Sequence, residues 1–169
     1  MTANQATLES LAAVKHRQCL LCGPAAAVGL KLRFRVQANG SVFVRLRCRE
    51  VLQGYPEMLH GGVISALLDA AMTNALFSVG IVGVTAELSV RFIAPVELDR
   101  GAVVRAFVEK GRHPLFYVRS GLEQDGKLMA RAWGKFLVMP NEPNDNAGEA
   151  PTDAVARLRR APSLEGEPQ

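Results

Sequence analysis

The stretch from about Gly61 to Ser78 is apolar on almost every side. Val63, Ile64, Leu67, Leu68, Met72, Leu76 and Phe77 cover nearly the whole circumference of a helix. Such a helix is wrapped by protein, not laid on a surface. Its polar residues are not scattered. Ser65, Asp69 and Thr73 fall four apart and line up as one stripe, with Gly61 and Gly62 at its start. Asp69 has no basic residue on its own helix, and a buried charge without a partner is costly, so it needs a job or a hidden hydrogen-bond partner. Amide donors at a helix start and one acid on the same face suggest attack by water on a polarised carbonyl.

The rest of the chain supplies what could wrap that helix. Residues 7–18 have a weak helical spacing through Leu8, Leu11, Ala12 and Val14. Leu30 to Val36 alternates apolar and basic, Asn39-Gly40 is a strong hairpin turn, and Val42 to Arg49 alternates again. After the helix come four more strand patterns, at 84–92, 102–109, 115–123 and 128–139. Asp125-Gly126 marks a second hairpin turn. Six antiparallel strands with one apolar face need a cover, and the only candidate is the central helix. The expected class is therefore α+β: a hotdog fold, with a six-stranded antiparallel sheet wrapped around one long helix and a short helix before it. Residues 1–6 read as a flexible start, 7–140 as the hotdog domain, and 141–169, rich in Pro, Asn, Asp, Gly and Glu, as a solvated tail with a short helical turn around Ala154–Arg160.

Composition narrows the partners. The chain has 169 residues, a net charge of +4 and a pI near 9.3. That mild basicity suits an anionic ligand such as a nucleotide-bearing cofactor, but no motif or dense basic helix supports nucleic-acid binding. No signal pattern opens the chain and no apolar run reads as a membrane span of ~18 residues, so a cytoplasmic location without membrane association is expected. The three cysteines, Cys19, Cys22 and Cys48, are an odd number, which argues against a disulfide framework. His16, Cys19 and Cys22 are three potential soft ligands where a structural zinc site takes four, and no second cysteine pair follows. No metal is expected; the two cysteines of the pair are read as small apolar residues packed near the sheet.

Geometry adds a constraint. Gly61 and Asp69 are eight residues apart, about 12 Å along a helix axis. A carbonyl must lie ~3 Å from its polarising amide, and the attacking water must lie ~3 Å from its base. One chain is not expected to place both groups on one carbonyl. Two antiparallel copies of the helix could, as a dimer with two composite sites. Asp69 would act as general base or as nucleophile; burial would raise its pKa, and hydrogen bonds from Thr73 or the backbone would lower it. Ser65 could assist as Thr73 does. Taken singly, each feature has a plainer reading: a mid-helix acid satisfied by a loop, a tight Gly-Gly turn, a loop-ordering His60.

Taken together, His60-Gly61-Gly62 followed by Asp69, with Thr85-Ala86-Glu87-Leu88-Ser89-Val90-Arg91-Phe92 downstream and Pro95 closing it, resembles the PaaI-like hotdog acyl-CoA thioesterases over residues 16–139. Cys19-x2-Cys22-Gly23 and Gly29-Leu30-x-Leu32-x-Phe34 also resemble an N-terminal segment of some members. The resemblance implies that the Gly61 amide polarises the thioester carbonyl, with Gly62 and His60 beside it. It implies that Asp69 of the partner subunit drives hydrolysis and that Thr73 supports it. Coenzyme A thioesters would be the substrates, with no separate cofactor, and dimers that often pair into tetramers would be the assembly.

Related enzymes often carry Asn or Gln six residues before the histidine. Here that position is Gly54, and Gln53 is one step earlier, so a loop shift would let Gln53 fill the role. Thr85, Ser65, Arg91, Lys110 and Arg112 are the further candidates for contact with substrate, the last three for its phosphates. Leu59, Met72 and Leu76 are expected to line the acyl pocket. Two other readings start from the same fold: a non-catalytic acyl-CoA-binding sensor or scaffold, and a dehydratase using His60. A redox or zinc protein built on Cys19 and Cys22 is a third, more distant, alternative.

Overall fold

The computed structural model describes residues 2–139. The order is α1 (Gln5–Lys15), β1 (Arg35–Val36), β2 (Val42–Arg47), a 3-10 turn (Glu50–Leu52), α2 (Gly61–Ser78), β3 (Gly83–Phe92), β4 (Gly101–Arg112), β5 (Leu115–Gln124) and β6 (Lys127–Val138). All six strands form one antiparallel sheet in the order β1-β2-β4-β5-β6-β3. The expected hotdog architecture is thus present, with α2 in the concave face. The expected tail from residue 141, and the helical turn within it, lie outside the described residues.

The α2 bounds match the sequence reading at both ends, because composition and caps agree. His60 caps the start, and Gly80, at φ +78°, follows the end. Length and mean hydropathy alone would let this helix cross a membrane, but two thirds of it is buried inside the protein. Leu67, Leu68, Ala71, Met72 and Leu76 are fully buried against the sheet. On β5 the alternation is clear: Phe116, Val118 and Leu122 point to the core, and so does Gln124. Full burial of each large side chain contributes about 1.5–3 kcal/mol.

Helix α1 starts and ends differently from the expected 7–18. Asn4 caps it by accepting from Thr7 N at 3.1 Å, and Asn4 N donates to Ser78 O at 2.7 Å, which ties α1 to the end of α2. Gln5 Oε1 accepts from Val36 N at 2.7 Å. The first hairpin strand is the clearest departure. Leu32 and Phe34 are buried and Arg33 and Arg35 exposed, as alternation requires. Yet only Arg35 and Val36 pair with β2. Residues 30–34 instead hydrogen-bond to the turn before them, through Leu30 N to Leu20 O and Leu32 N to Leu21 O, and Lys31 takes a positive φ of 50°.

Candidate active site

The start of α2 is built around His60. Its Nδ1 accepts from Gly62 N at 2.9 Å, satisfying one of the amides that a helix start leaves without an internal partner. The imidazole lies so close that a Cβ on Gly62 would sit 3.0 Å from two ring atoms. His60 is therefore a cap, and the Gly62 N–H is spent on it. The Gly61 N–H has no acceptor among the described residues. It is left at the positive end of the helix. A Cβ on Gly61 would meet only the edge of the Phe92 ring, at 3.6 Å.

Asp69 is half-buried in the single chain, not fully buried as expected. The hydrogen-bond partner that its placement called for is Thr85, whose Oγ1 donates to Asp69 Oδ1 at 2.7 Å. Strand β3 lies at the sheet edge, and its register against β6 shifts between Thr85 and Glu87, leaving Ala86 as an extra residue. Such a bulge re-aims a neighbouring side chain. The nearer hydroxyls do something else. Thr73 Oγ1 donates to the backbone carbonyl of Asp69 at 3.1 Å, and Ser65 Oγ to that of Gly61 at 3.0 Å. Neither bonds to the carboxylate in this chain.

A cleft of about 670 Å³ opens beside the helix start. Gly61, Tyr55, Met58, Phe92, Ile93 and Val96 contribute to its walls. Four of these apolar residues are exposed: Tyr55, Met58, Phe92 and Ile93. Their clustering at a concave surface fits a hydrophobic ligand. Leu59 lines the cleft as expected, but Met72 and Leu76 are fully buried in the core and line none of it. The far wall is held by a residue that sequence reasoning missed. Gln124 is buried, and its amide accepts from Glu97 N and donates to Glu97 O, both at 2.9 Å. Leu59 N in turn donates to Val96 O at 2.8 Å, joining the two sides of the loop pair.

Gln53 is exposed, and its Oε1 accepts from Glu57 N at 3.1 Å, so it orders its own loop. The glycine after it has a physical cause. A Cβ on Gly54 would lie 3.0 Å from His60 Cα and 3.1 Å from the His60 ring. Asparagine or glutamine at this position would press on the capping residue.

The three candidate cations are not gathered at the cleft within one chain. Leu88 and Val90 pack on the core, so Arg91, following Val90, lies on the opposite face of β3 beside Arg131 of β6. Lys110 stands over the Tyr117 ring at 5.3 Å and borders a separate cavity with Ala75 and Val79, at the far end of α2. Arg112 is exposed at the end of β4. Gly61 and Ala75 are about 21 Å apart along the helix.

The arrangement offers a first helical amide without an acceptor among the described residues, an apolar cleft beside it, and a hydroxyl-supported carboxylate two turns along. Residues 57–129 match the thioesterase superfamily. No curated protein matches the sequence significantly. Among solved structures, a thioesterase superfamily protein is 25% identical, with 72% of this chain aligned and a TM-score of 0.68; the chain spans 63% of that protein's length. A phenylacetic acid degradation-related protein from Ralstonia eutropha is also 25% identical, covering 68% of this chain and 90% of its own, with a TM-score of 0.61. A protein from Streptococcus pneumoniae described as a hypothetical thioesterase, solved with coenzyme A, shares the fold at 18% identity, 64% and 88% coverage and a TM-score of 0.60. Mutant structures of that protein carry alanine in place of an aspartate and of a threonine sixteen residues after it.

Proposed function

On the premise that residues 57–129 are a thioesterase-superfamily segment, we propose that the protein hydrolyses acyl-coenzyme A thioesters to the free acid and coenzyme A. One observation carries this reading: the Asp69 carboxylate, held by Thr85, sits on the same helix whose unpaired first amide opens onto an apolar cleft. The interval between the aspartate and threonine replaced in the Streptococcus pneumoniae thioesterase is also that between Asp69 and Thr85.

In this mechanism the thioester oxygen accepts from the Gly61 N–H at the positive helix end, which stabilises the developing oxyanion. Asp69 supplies the electron pair. It removes a proton from the attacking water, or it attacks the carbonyl carbon itself to form an anhydride that water then opens. The coenzyme A sulfur leaves and is protonated. Thr85 keeps one carboxylate oxygen fixed, so the other faces the reaction. Tyr55, Met58, Phe92 and Ile93 receive an apolar acyl group.

The separation of Gly61 and Asp69 along one helix makes the site composite. Gly61 of one protomer works with Asp69 of the partner subunit. The edge strand β3, with Val84, Thr85 and Ala86 exposed, offers unpaired backbone groups to a second copy.

The test is release of free thiol from short, long and aromatic acyl-coenzyme A substrates, with Asp69→Asn as control. Turnover abolished by that change supports the reading. Tight binding of the substrates with no turnover overturns it. Co-expression of an Asp69→Asn subunit with a Gly61→Val subunit tests the composite site: activity should return at one of the two sites.

A further inference from the structure

Away from the cleft, three soft ligands come together on the other side of α2. His16 closes α1, and Cys19 and Cys22 follow in the next turns. The ligand atoms of all three lie within 4.8 Å of one another. His16 Nδ1 and Cys22 Sγ are 3.5 Å apart. With Zn–S about 2.3 Å and Zn–N about 2.0 Å, tetrahedral geometry puts a nitrogen and a sulfur about 3.6 Å apart and two sulfurs about 3.8 Å apart. The His16–Cys22 edge already has that length.

The backbone is folded tightly to gather these groups. Cys19 N donates to His16 O at 3.0 Å, and Gly23 N to Cys19 O at 2.8 Å. A Cβ on Gly23 would lie 2.4 Å from Cys19 N and 2.6 Å from Cys19 O. No other residue fits there without opening the turn.

A second observation points to a ligand. Asn74 of α2 is 1% exposed. Its Nδ2 donates to Ala70 O at 2.8 Å and is aimed at Cys22 Sγ at 3.8 Å. Such outer partners orient the ligands of metal sites. The His16 ring stands edge-on to Phe77, with centroids 4.9 Å apart, which fixes its plane. Two thiolates also cancel the charge of a divalent ion, so the filled site is neutral and its burial is cheap for an ionic group.

We propose that His16, Cys19 and Cys22 bind one zinc ion, with the fourth position open to water or a small anion. The ion ties the end of α1 to the turn that follows it, beside Asn74 of α2. Ligand counting from the sequence points the other way, because it scores only four-residue sites; three protein ligands with an open position are an established zinc arrangement.

The experiment uses the full chain, purified untagged and reduced from zinc-supplemented medium. Metal content by mass spectrometry should be about one zinc per chain. Exchange into cobalt(II) should give tetrahedral visible bands and a thiolate-to-cobalt charge-transfer band. Chelation should lower the melting temperature, and zinc should restore it. Cys19→Ser, at a half-buried position, should cut the charge-transfer intensity by about half, since one of two thiolates is gone. Cys48→Ser should change none of the metal readouts. A metal-free protein with no cobalt–thiolate band overturns the proposal. So does zinc retained in the Cys19→Ser/Cys22→Ser double variant, or a Cys19–Cys22 disulfide found in place of metal. None of these readouts depends on thioester hydrolysis.

Discussion

Thr85 on the edge strand donates its hydroxyl proton to the Asp69 carboxylate on the central helix, across 2.7 Å. A hydrogen bond to a charged group contributes about 1.5–3 kcal/mol. Thr85→Val should therefore lower kcat for acyl-coenzyme A hydrolysis by about 10-fold or more, whereas Thr85→Ser keeps most of it. Both residues lie near the surface, so the melting temperature should hold. Wild-type kcat in Thr85→Val would show that Asp69 needs no such support.

The two hydroxyls nearest Asp69 on its own helix bond to backbone carbonyls. Asp69→Asn should cost on the order of 10²–10⁴ in kcat, the usual contribution of a general base. Thr73→Ala and Ser65→Ala should change kcat by only a few-fold. Steady-state rates of the three variants separate the roles; a Thr73→Ala defect as large as that of Asp69→Asn would return Thr73 to the reaction.

Two neighbouring glycines should behave differently. A Cβ on Gly54 meets the His60 backbone and ring at 3.0–3.1 Å, so the capping residue must shift to admit it. Gly54→Ala should destabilise by about 1–3 kcal/mol, read as a lower melting temperature. A Cβ on Gly61 has ordinary contact with Phe92 at 3.6 Å. Gly61→Ala should fold normally, since alanine suits a helix better, and lose activity by crowding the substrate carbonyl.

Met72 is fully buried, and its sulfur would lie 3.0 Å from a Cβ on Gly134 of β6. Met72→Ala should cost about 2–5 kcal/mol in urea unfolding, with the preference among acyl chains unchanged in the folded protein. Phe92→Ala should shift that preference and leave stability nearly intact, because Phe92 is half exposed at the cleft.

Cys48 is wholly buried at the end of β2, and burial raises its thiol pKa above the ordinary 9.0. The folded state then holds its proton more tightly than the unfolded chain. Its contribution is full below pH 9 and is lost as pH rises through the folded value. The fall in stability between about pH 9 and 10 should be shallower in Cys48→Val, as measured by urea unfolding at each pH. An identical slope would show that Cys48 does not titrate in that range.

Local patterning made the central helix and the later strands legible. Apolar residues around the whole circumference from Gly61 to Ser78 leave only a wrapped helix, and period-two alternation set β4, β5 and β6 to within a few residues. The same alternation misled at residues 30–34. Those side chains do alternate between core and solvent, but their backbone bonds go to Leu20 and Leu21 instead of a strand partner. Side-chain periodicity reports which face is buried, not which chain accepts the hydrogen bonds.

The sequence by itself determined that one acid and two glycines share a helix stripe, because residues four apart on a helix must align. Only the tertiary structure decided which hydroxyl serves that acid. Thr85 reaches Asp69 through an edge-strand bulge, while Thr73, adjacent on the helix, is drawn to the backbone. It likewise decided that Met72 belongs to the core, that Gln124 holds the cleft wall, and that His16, Cys19 and Cys22 converge. Periodicity is a property of neighbours along the chain; these contacts depend on register and packing between elements, which no short-range pattern encodes.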